Sequence, residues 1–183
     1  MTGEGVEGQP ADEPRAGHAA LLEGAFREVQ ADLLAYLRLV AGPAAEDVAA
    51  QTWADAVAGI SGFGGDSADL RRWLFAIARR RAIDHGRRWW QRKVTPLPPQ
   101  VLEPAAGAAA PAEDREATRW ALGQIAALPA DQAEVVLLRV VAGLSAEDVA
   151  ALTGRSPSAV RVMQHRALRR LARQLDRDRG SQV

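Results

Sequence analysis

The segment from Val94 to Asp114, VTPLPPQVLEPAAGAAAPAED, limits what this chain can fold into more than any other feature. Prolines at 96, 98, 99, 104 and 111 recur with no hydrophobic period between them. Proline has no amide hydrogen to donate and keeps the preceding residue out of helical backbone, so such a stretch reads as a flexible connector. The 183 residues therefore divide into two small packed units rather than one large one. The predicted boundaries are a disordered Gly/Pro/Glu-rich tail over 1–17, a first domain over 18–95, a Pro/Ala-rich linker over 96–115, a second domain over 116–177 and a short C-terminal tail over 178–183.

Both units read as all-α. Leu22, Phe26, Val29, Leu33, Leu37 and Val40 recur at helical spacing up to Gly42-Pro43, which ends that helix. Val48, Trp53, Ala56, Val57 and Ile60 form the expected core face of a second helix, with Asp47, Gln51, Thr52 and Asp55 mostly outside it. After the loop SGFGGDSAD, a third helix capped by Asp66 or Ser67 buries Leu70, Trp73, Leu74 and Ile77. Beyond the linker, Trp120, Leu122 and Ile125 mark a helix, and another runs from about Pro129 to Gly143. Ser145-Ala-Glu-Asp148 has the form of a capping box ahead of Val149, Ala150 and Leu152, Gly154 supplies a turn, and a last helix from about Pro157 carries Val160, Met163, Ala167, Leu168 and Leu171 inward. A capped helix, a short glycine turn and a second helix make a helix-turn-helix.

Charge then separates these helices. Lys+Arg and Asp+Glu both total 23, a balance that by itself argues against a nucleic-acid partner. Position reverses that expectation, because a surface field depends on where charges sit. From Arg71 to Lys93 nine basic residues face the single acid Asp84, and from Arg155 to Arg173 there is no acid at all. In the last helix Ser156, Ser158, Ala159, Arg161, Val162, His165 and Arg166 fall on or near the exposed side, with Arg155 just before it. Arginine can pair bidentately with guanine in the major groove while serine hydroxyls and helix N–H groups hold phosphates. In the first domain, arginines that neutralise phosphate adjoin Phe63, Trp89 and Trp90, rings that could stack on unpaired bases.

Two stretches carry a family resemblance. AEDVAAQTW through GDSADLRRWLFAIARRRAIDHGRR resembles region 2 of extracytoplasmic-function sigma factors, and LPADQAEVVLLRVVAGLSAEDVAALTGRSPSAVRVMQHRALRRL resembles their region 4. The resemblance spans roughly His18 to Leu175 and implies an alternative bacterial sigma factor. It implies that Asp47, Gln51, Thr52 and Asp55 bind the clamp helices of the polymerase β′ subunit. It implies that Phe63, Gly64, Asp66, Ser67, Arg79, Arg80, Asp84, Arg87 and Arg88 recognise and open the −10 element, where a pocket for a flipped base offsets its unstacking. It further implies that Arg155, Ser156, Ser158, Arg161, Val162, His165 and Arg166 read the −35 element while this domain rests on the β flap, and that an anti-sigma factor restrains the protein. The chain departs from common family residues at Arg80, where many relatives have Asn, and at Val162-Met163, where many have Ser-Arg.

Other functions have less support. No cysteine is present, so disulfides and thiolate metal sites are excluded, and His18, His85 and His165 are scattered rather than clustered. With no phosphate-cradling glycine loop or nucleophile motif, no enzyme activity, metal or cofactor is expected. The N-terminus lacks a signal-peptide pattern and no apolar run reaches membrane-spanning length, which predicts a cytoplasmic protein with no membrane insertion. The competing reading is a helix-turn-helix regulator that binds duplex DNA without polymerase.

Overall fold

The computed structural model describes residues 13–86 and 112–180. Trp89, Trp90, Arg87, Arg88 and most of the expected linker lie outside the described residues. Among the described residues every regular element is a helix. Helix α1 (Glu13–Ala41) is followed by a 3₁₀ turn (Gly42–Ala44), α2 (Ala45–Gly59), a second 3₁₀ turn (Ile60–Gly62) and α3 (Ser67–Gly86). The second unit contains α4 (Ala112–Ala126), α5 (Ala130–Val136) running into a π-helical segment (Leu137–Val141), α6 (Ala146–Thr153) and α7 (Pro157–Gly180).

Three boundaries differ from the sequence reading. Helix α1 begins inside the stretch assigned to a tail, α4 begins inside the stretch assigned to the linker, and α7 extends into the expected C-terminal tail. The α4 extension, Ala112-Glu-Asp-Arg115, is rich in good helix formers, and Pro14 stands in the first turn of α1, where its missing N–H breaks no helical hydrogen bond.

In the first unit α1, α2 and α3 pack against one another around Leu33, Leu37, Tyr36, Val40, Val48, Leu70, Leu74 and Phe75, all essentially inaccessible. Tyr36 and Phe75 meet edge to face at 5.6 Å, the arrangement favoured by aromatic quadrupoles. The predicted stripes are buried along their centres but not at their margins. Phe26 and Val57 are exposed, Phe26 lying against the Trp53 ring at 5.1 Å while the Trp53 indole N–H donates to Gln30 at 2.6 Å. Phe75, which the stripe omitted, is fully buried because α3 is covered by both α1 and α2.

In the second unit Leu122, Ile125, Val135, Val136, Leu137, Leu138, Val149, Val160 and Ala167 form the core, whereas Trp120 and Leu168 remain exposed. The two cores are continuous, with α1 packed against the π segment. Replacement of Phe75 by alanine removes the ring on which Tyr36 rests and leaves a cavity, and should lower unfolding free energy by about 3–5 kcal/mol in urea titrations.

Candidate nucleic-acid interface

The helix-turn-helix is built as its sequence suggests. The Ser145 hydroxyl accepts from the Asp148 N–H at 3.0 Å while the Asp148 carboxylate accepts from the Ser145 N–H at 3.1 Å, closing the capping box. Gly154 ends α6 at φ +69°, in the left-handed region where a side chain is strained, and so lets the chain turn toward α7. Val160 and Ala167 seat α7 in the core, with Met163 and Leu171 partly buried beside them. That leaves Ser156, Ser158, Arg161, Val162, His165 and Arg166 exposed on the outer face, as the sequence reading placed them, while Ala159, expected with them, is partly buried, as is Arg155.

Two of these arginines are engaged. The Arg155 guanidinium pairs with Asp131 at 3.0 Å and donates to the Met163 sulfur, and Arg161 donates to the Glu147 carboxylate across the α6–α7 angle. From the π segment a further residue, Arg139, donates to Gln164 on α7 at 3.0 Å and to the Leu144 carbonyl in the turn before α6. In that segment one extra residue per turn shifts the register of the side chains that follow.

The loop before α3 is equally specific. The Asp69 N–H donates to the Asp66 carboxylate at 2.9 Å and the Asp66 N–H to Asp69 at 3.4 Å, so Asp66 is the cap and Ser67 opens the helix. Phe63 stacks on Trp73 at 5.4 Å and is only partly exposed, while Gly64, Asp66 and Ser67 are exposed. A Cβ on Gly65 would lie 2.5 Å from that of Asp69 and 2.8 Å from the Phe63 ring, so the loop closes only around a hydrogen at that position.

Along α3 the arginines divide between partners. Asp55 takes a bidentate pair from Arg81 at 2.6 and 2.7 Å and approaches Arg80 at 3.5 Å. Arg79 pairs with the buried Glu134 of α5 at 2.9 Å, Arg72 reaches Asp148 at 3.3 Å, and Arg71 joins Asp32 and donates to the Val141 and Ala142 carbonyls that end the π segment. Arg79, Arg80 and Asp84 thereby line a shallow cleft with Leu152 of α6 at the seam between the two units. Sequence reasoning missed Arg71, Arg72, Glu134 and Asp148 as a set, because each contact across the seam joins residues more than fifty positions apart.

The polymerase-facing candidates are brought together only in part. Asp47, Gln51 and Asp55 share a face of α2, Asp47 being exposed and Asp55 engaged by Arg81. Thr52 is fully buried and donates to the Val48 carbonyl at 2.7 Å, so in this fold its hydroxyl serves its own helix rather than a surface.

The environment moves several proton affinities. Hydrogen bonds from Arg81 hold the Asp55 carboxyl below its ordinary range. Burial pushes Asp148 upward, but the Ser145 hydroxyl and N–H and the Arg72 guanidinium outweigh it and leave the carboxyl lowered. Burial, reinforced by Glu134, raises the Tyr36 phenol well above its usual value, so it stays protonated.

A helical unit with an arginine-lined helix is thus followed by a helix-turn-helix unit, a two-module helical architecture. Comparison with known proteins narrows that class. The sigma-70 region 2 family matches residues 25–92 and the sigma-70 region 4 family matches residues 119–171. The ECF RNA polymerase sigma factor BldN of Streptomyces coelicolor is 30% identical over 78% of this chain and 55% of its own length. ShbA of Streptomyces griseus, also named an ECF RNA polymerase sigma factor, is 54% identical over 52 residues, 28% of this chain and 27% of that protein. SigD of Mycobacterium tuberculosis, another so named, is 64% identical over 44 residues, 24% of this chain and 21% of that protein. The chain thus spans about a quarter of the length of these two relatives. The solved structure of CnrH in complex with the cytosolic domain of CnrY has the same fold, with TM-score 0.58 at 22% identity over 90% of this chain and 97% of that one. The chain belongs to the sigma-70 family, in its extracytoplasmic-function group.

Two measurements test this geometry. Gly65→Ala should displace Phe63 or Asp69 and disorder the loop, read as broadened amide signals from residues 62–69 while the helical core keeps its spectrum. Because Asp55 and Asp148 bind protons less readily when folded, their contribution to stability should be complete above about pH 4 and fall as the pH drops through their lowered folded values. Asp55→Asn should flatten that acid limb in thermal unfolding curves.

Proposed function

We propose that this chain is an alternative RNA polymerase sigma factor that binds core polymerase, recognises the −35 and −10 elements of a promoter and promotes strand opening. The observation that carries this reading is the order of regions 2 and 4 in one chain, each presenting an arginine-rich helix. Region 4 reads the −35 element as duplex through the outer face of α7, with Ser156 and Ser158 on phosphates and Arg161, Val162, His165 and Arg166 toward base edges. Arg155 steadies the entry to that helix.

Region 2 receives the −10 strand at the Phe63–Ser67 loop and the α3 residues Arg79, Arg80 and Asp84, with Arg87 and Arg88 following them in sequence. Arg79 exchanges Glu134 for a phosphate when the two units move apart to span both elements. The exposed side of α2, through Asp47, Gln51 and Asp55, docks on the β′ clamp helices, and region 4 rests on the β flap. The protein acts in the cytoplasm, without a cofactor. No helix among the described residues is long and apolar enough to cross a membrane.

A protein partner that covers these surfaces holds the factor inactive, in keeping with the fold shared with CnrH, whose structure was solved bound to a second protein. A regulator that binds DNA without polymerase is the less favoured reading, because the relatives matched here are named sigma factors.

Run-off transcription of fragmented genomic DNA by core polymerase tests the proposal. Addition of the protein should create defined new start sites that share spaced −35 and −10 sequences. No new starts, together with a shift of duplex DNA by the protein alone, would favour the regulator. Arg161→Ala should weaken −35-dependent starts by about 1–3 kcal/mol in competition between promoters, the range for a bidentate base contact.

A further inference from the structure

The carboxylate of Glu147 stands where a DNA-reading surface would be expected to avoid one. It lies in the first turn of α6 and is exposed, beside a helix whose segment from Pro157 to Arg173 contains no acid. Its position is fixed rather than incidental, because the Ser145–Asp148 capping box immobilises the turn that carries it. Negative charge in a first helical turn favours the helix dipole, but Asp148 already occupies that turn. An exposed ion pair also adds little to stability, with a median of about 0–1 kcal/mol. Neither effect accounts for a carboxylate paired with an arginine on the exposed side of the motif.

Its partner accounts for it better. Among the α7 arginines, Arg161 is tied to Glu147, whereas Arg166, Arg169, Arg170 and Arg173 have no carboxylate partner among the described residues. The unpaired arginines suit phosphate, which tolerates a mobile cation. A base edge demands a fixed guanidinium. Glu147 accepts from one terminal nitrogen of Arg161 and leaves further N–H groups on the fork, enough for two parallel hydrogen bonds to guanine O6 and N7. Restricting that long side chain before binding lowers the ordering cost of the base contact.

We propose that Glu147 is a positioning residue that holds Arg161 for base readout and so sets specificity at one base pair of the −35 element. This inference rests on the sigma-factor reading above. It assigns the first helix of the motif a part in base discrimination without any base contact of its own.

The test is competitive transcription by the holoenzyme from a set of promoters in which each −35 base pair is varied singly, starting from a sequence found in the run-off experiment. Arg161→Ala should lose discrimination at one base pair. Glu147→Ala should lose about tenfold at that same base pair and retain it elsewhere, and the double variant should lose no more than Arg161→Ala alone. Glu147→Gln, which keeps an oxygen to accept from Arg161 but removes the charge, should lose less than Glu147→Ala at that same base pair with an unchanged melting temperature, which separates readout from folding. Unaltered discrimination in both Glu147 variants, or an even loss at every position, overturns the inference while leaving sigma activity intact. A parent protein that shows no −35 dependence overturns the functional reading and this inference with it.

Discussion

The row of arginines along α3 is the feature on which the arrangement of this molecule depends. One side of that helix, through Leu70, Leu74, Phe75, Ile77, Ala78 and Ala82, is buried in the first core. Arg71, Arg79 and Arg81 flank that side partly buried, Arg72 and Arg80 are exposed, and nearby acceptors offset the repulsion among these like charges. Asp32, Asp55 and Asp69 supply them from within the unit, while Glu134, Asp148 and two backbone carbonyls supply them from the other. Within a chain of zero net charge, these acids are placed against specific arginines, two of them across the seam.

The same matching explains how the seam and the proposed promoter-reading surface come to overlap. A guanidinium suited to phosphate is suited equally to a carboxylate, since both offer paired anionic oxygens. Glu134 occupies Arg79, and Asp148 serves Arg72 while capping the first helix of the helix-turn-helix. One carboxylate thus holds a local cap and a contact between units together. Arg139 performs a comparable task within the second unit, since its single guanidinium ties the turn before α6 to α7.

Much of this could be read from the amino-acid order. The left-handed turn at Gly154, the capping box at Ser145, the cap at Asp66 and the exposed face of α7 are all local, written within a few residues of one another. Periodicity was less informative at the edges of each stripe. It identifies the centre of an apolar face, but whether Phe26, Val57, Trp120 and Leu168 are covered depends on how far a neighbouring helix reaches, and no local pattern records that. Thr52 illustrates the reverse error, since a polar residue on a predicted outer face can turn its hydroxyl back onto its own helix. Pairs such as Arg79 with Glu134 leave no trace in spacing at all. Glu147 was legible only as part of a capping motif, and its tie to Arg161 emerged only with α6 and α7 in place.

Every one of these cationic contacts is made by arginine, and the chain's single lysine, Lys93, lies outside the described residues. Arginine keeps its charge throughout the physiological pH range, and it has no ε-amine for an acyl group to neutralise. Acetylation, which discharges the lysine-rich surfaces of many proteins, therefore has nothing to act on at the seam or along α7.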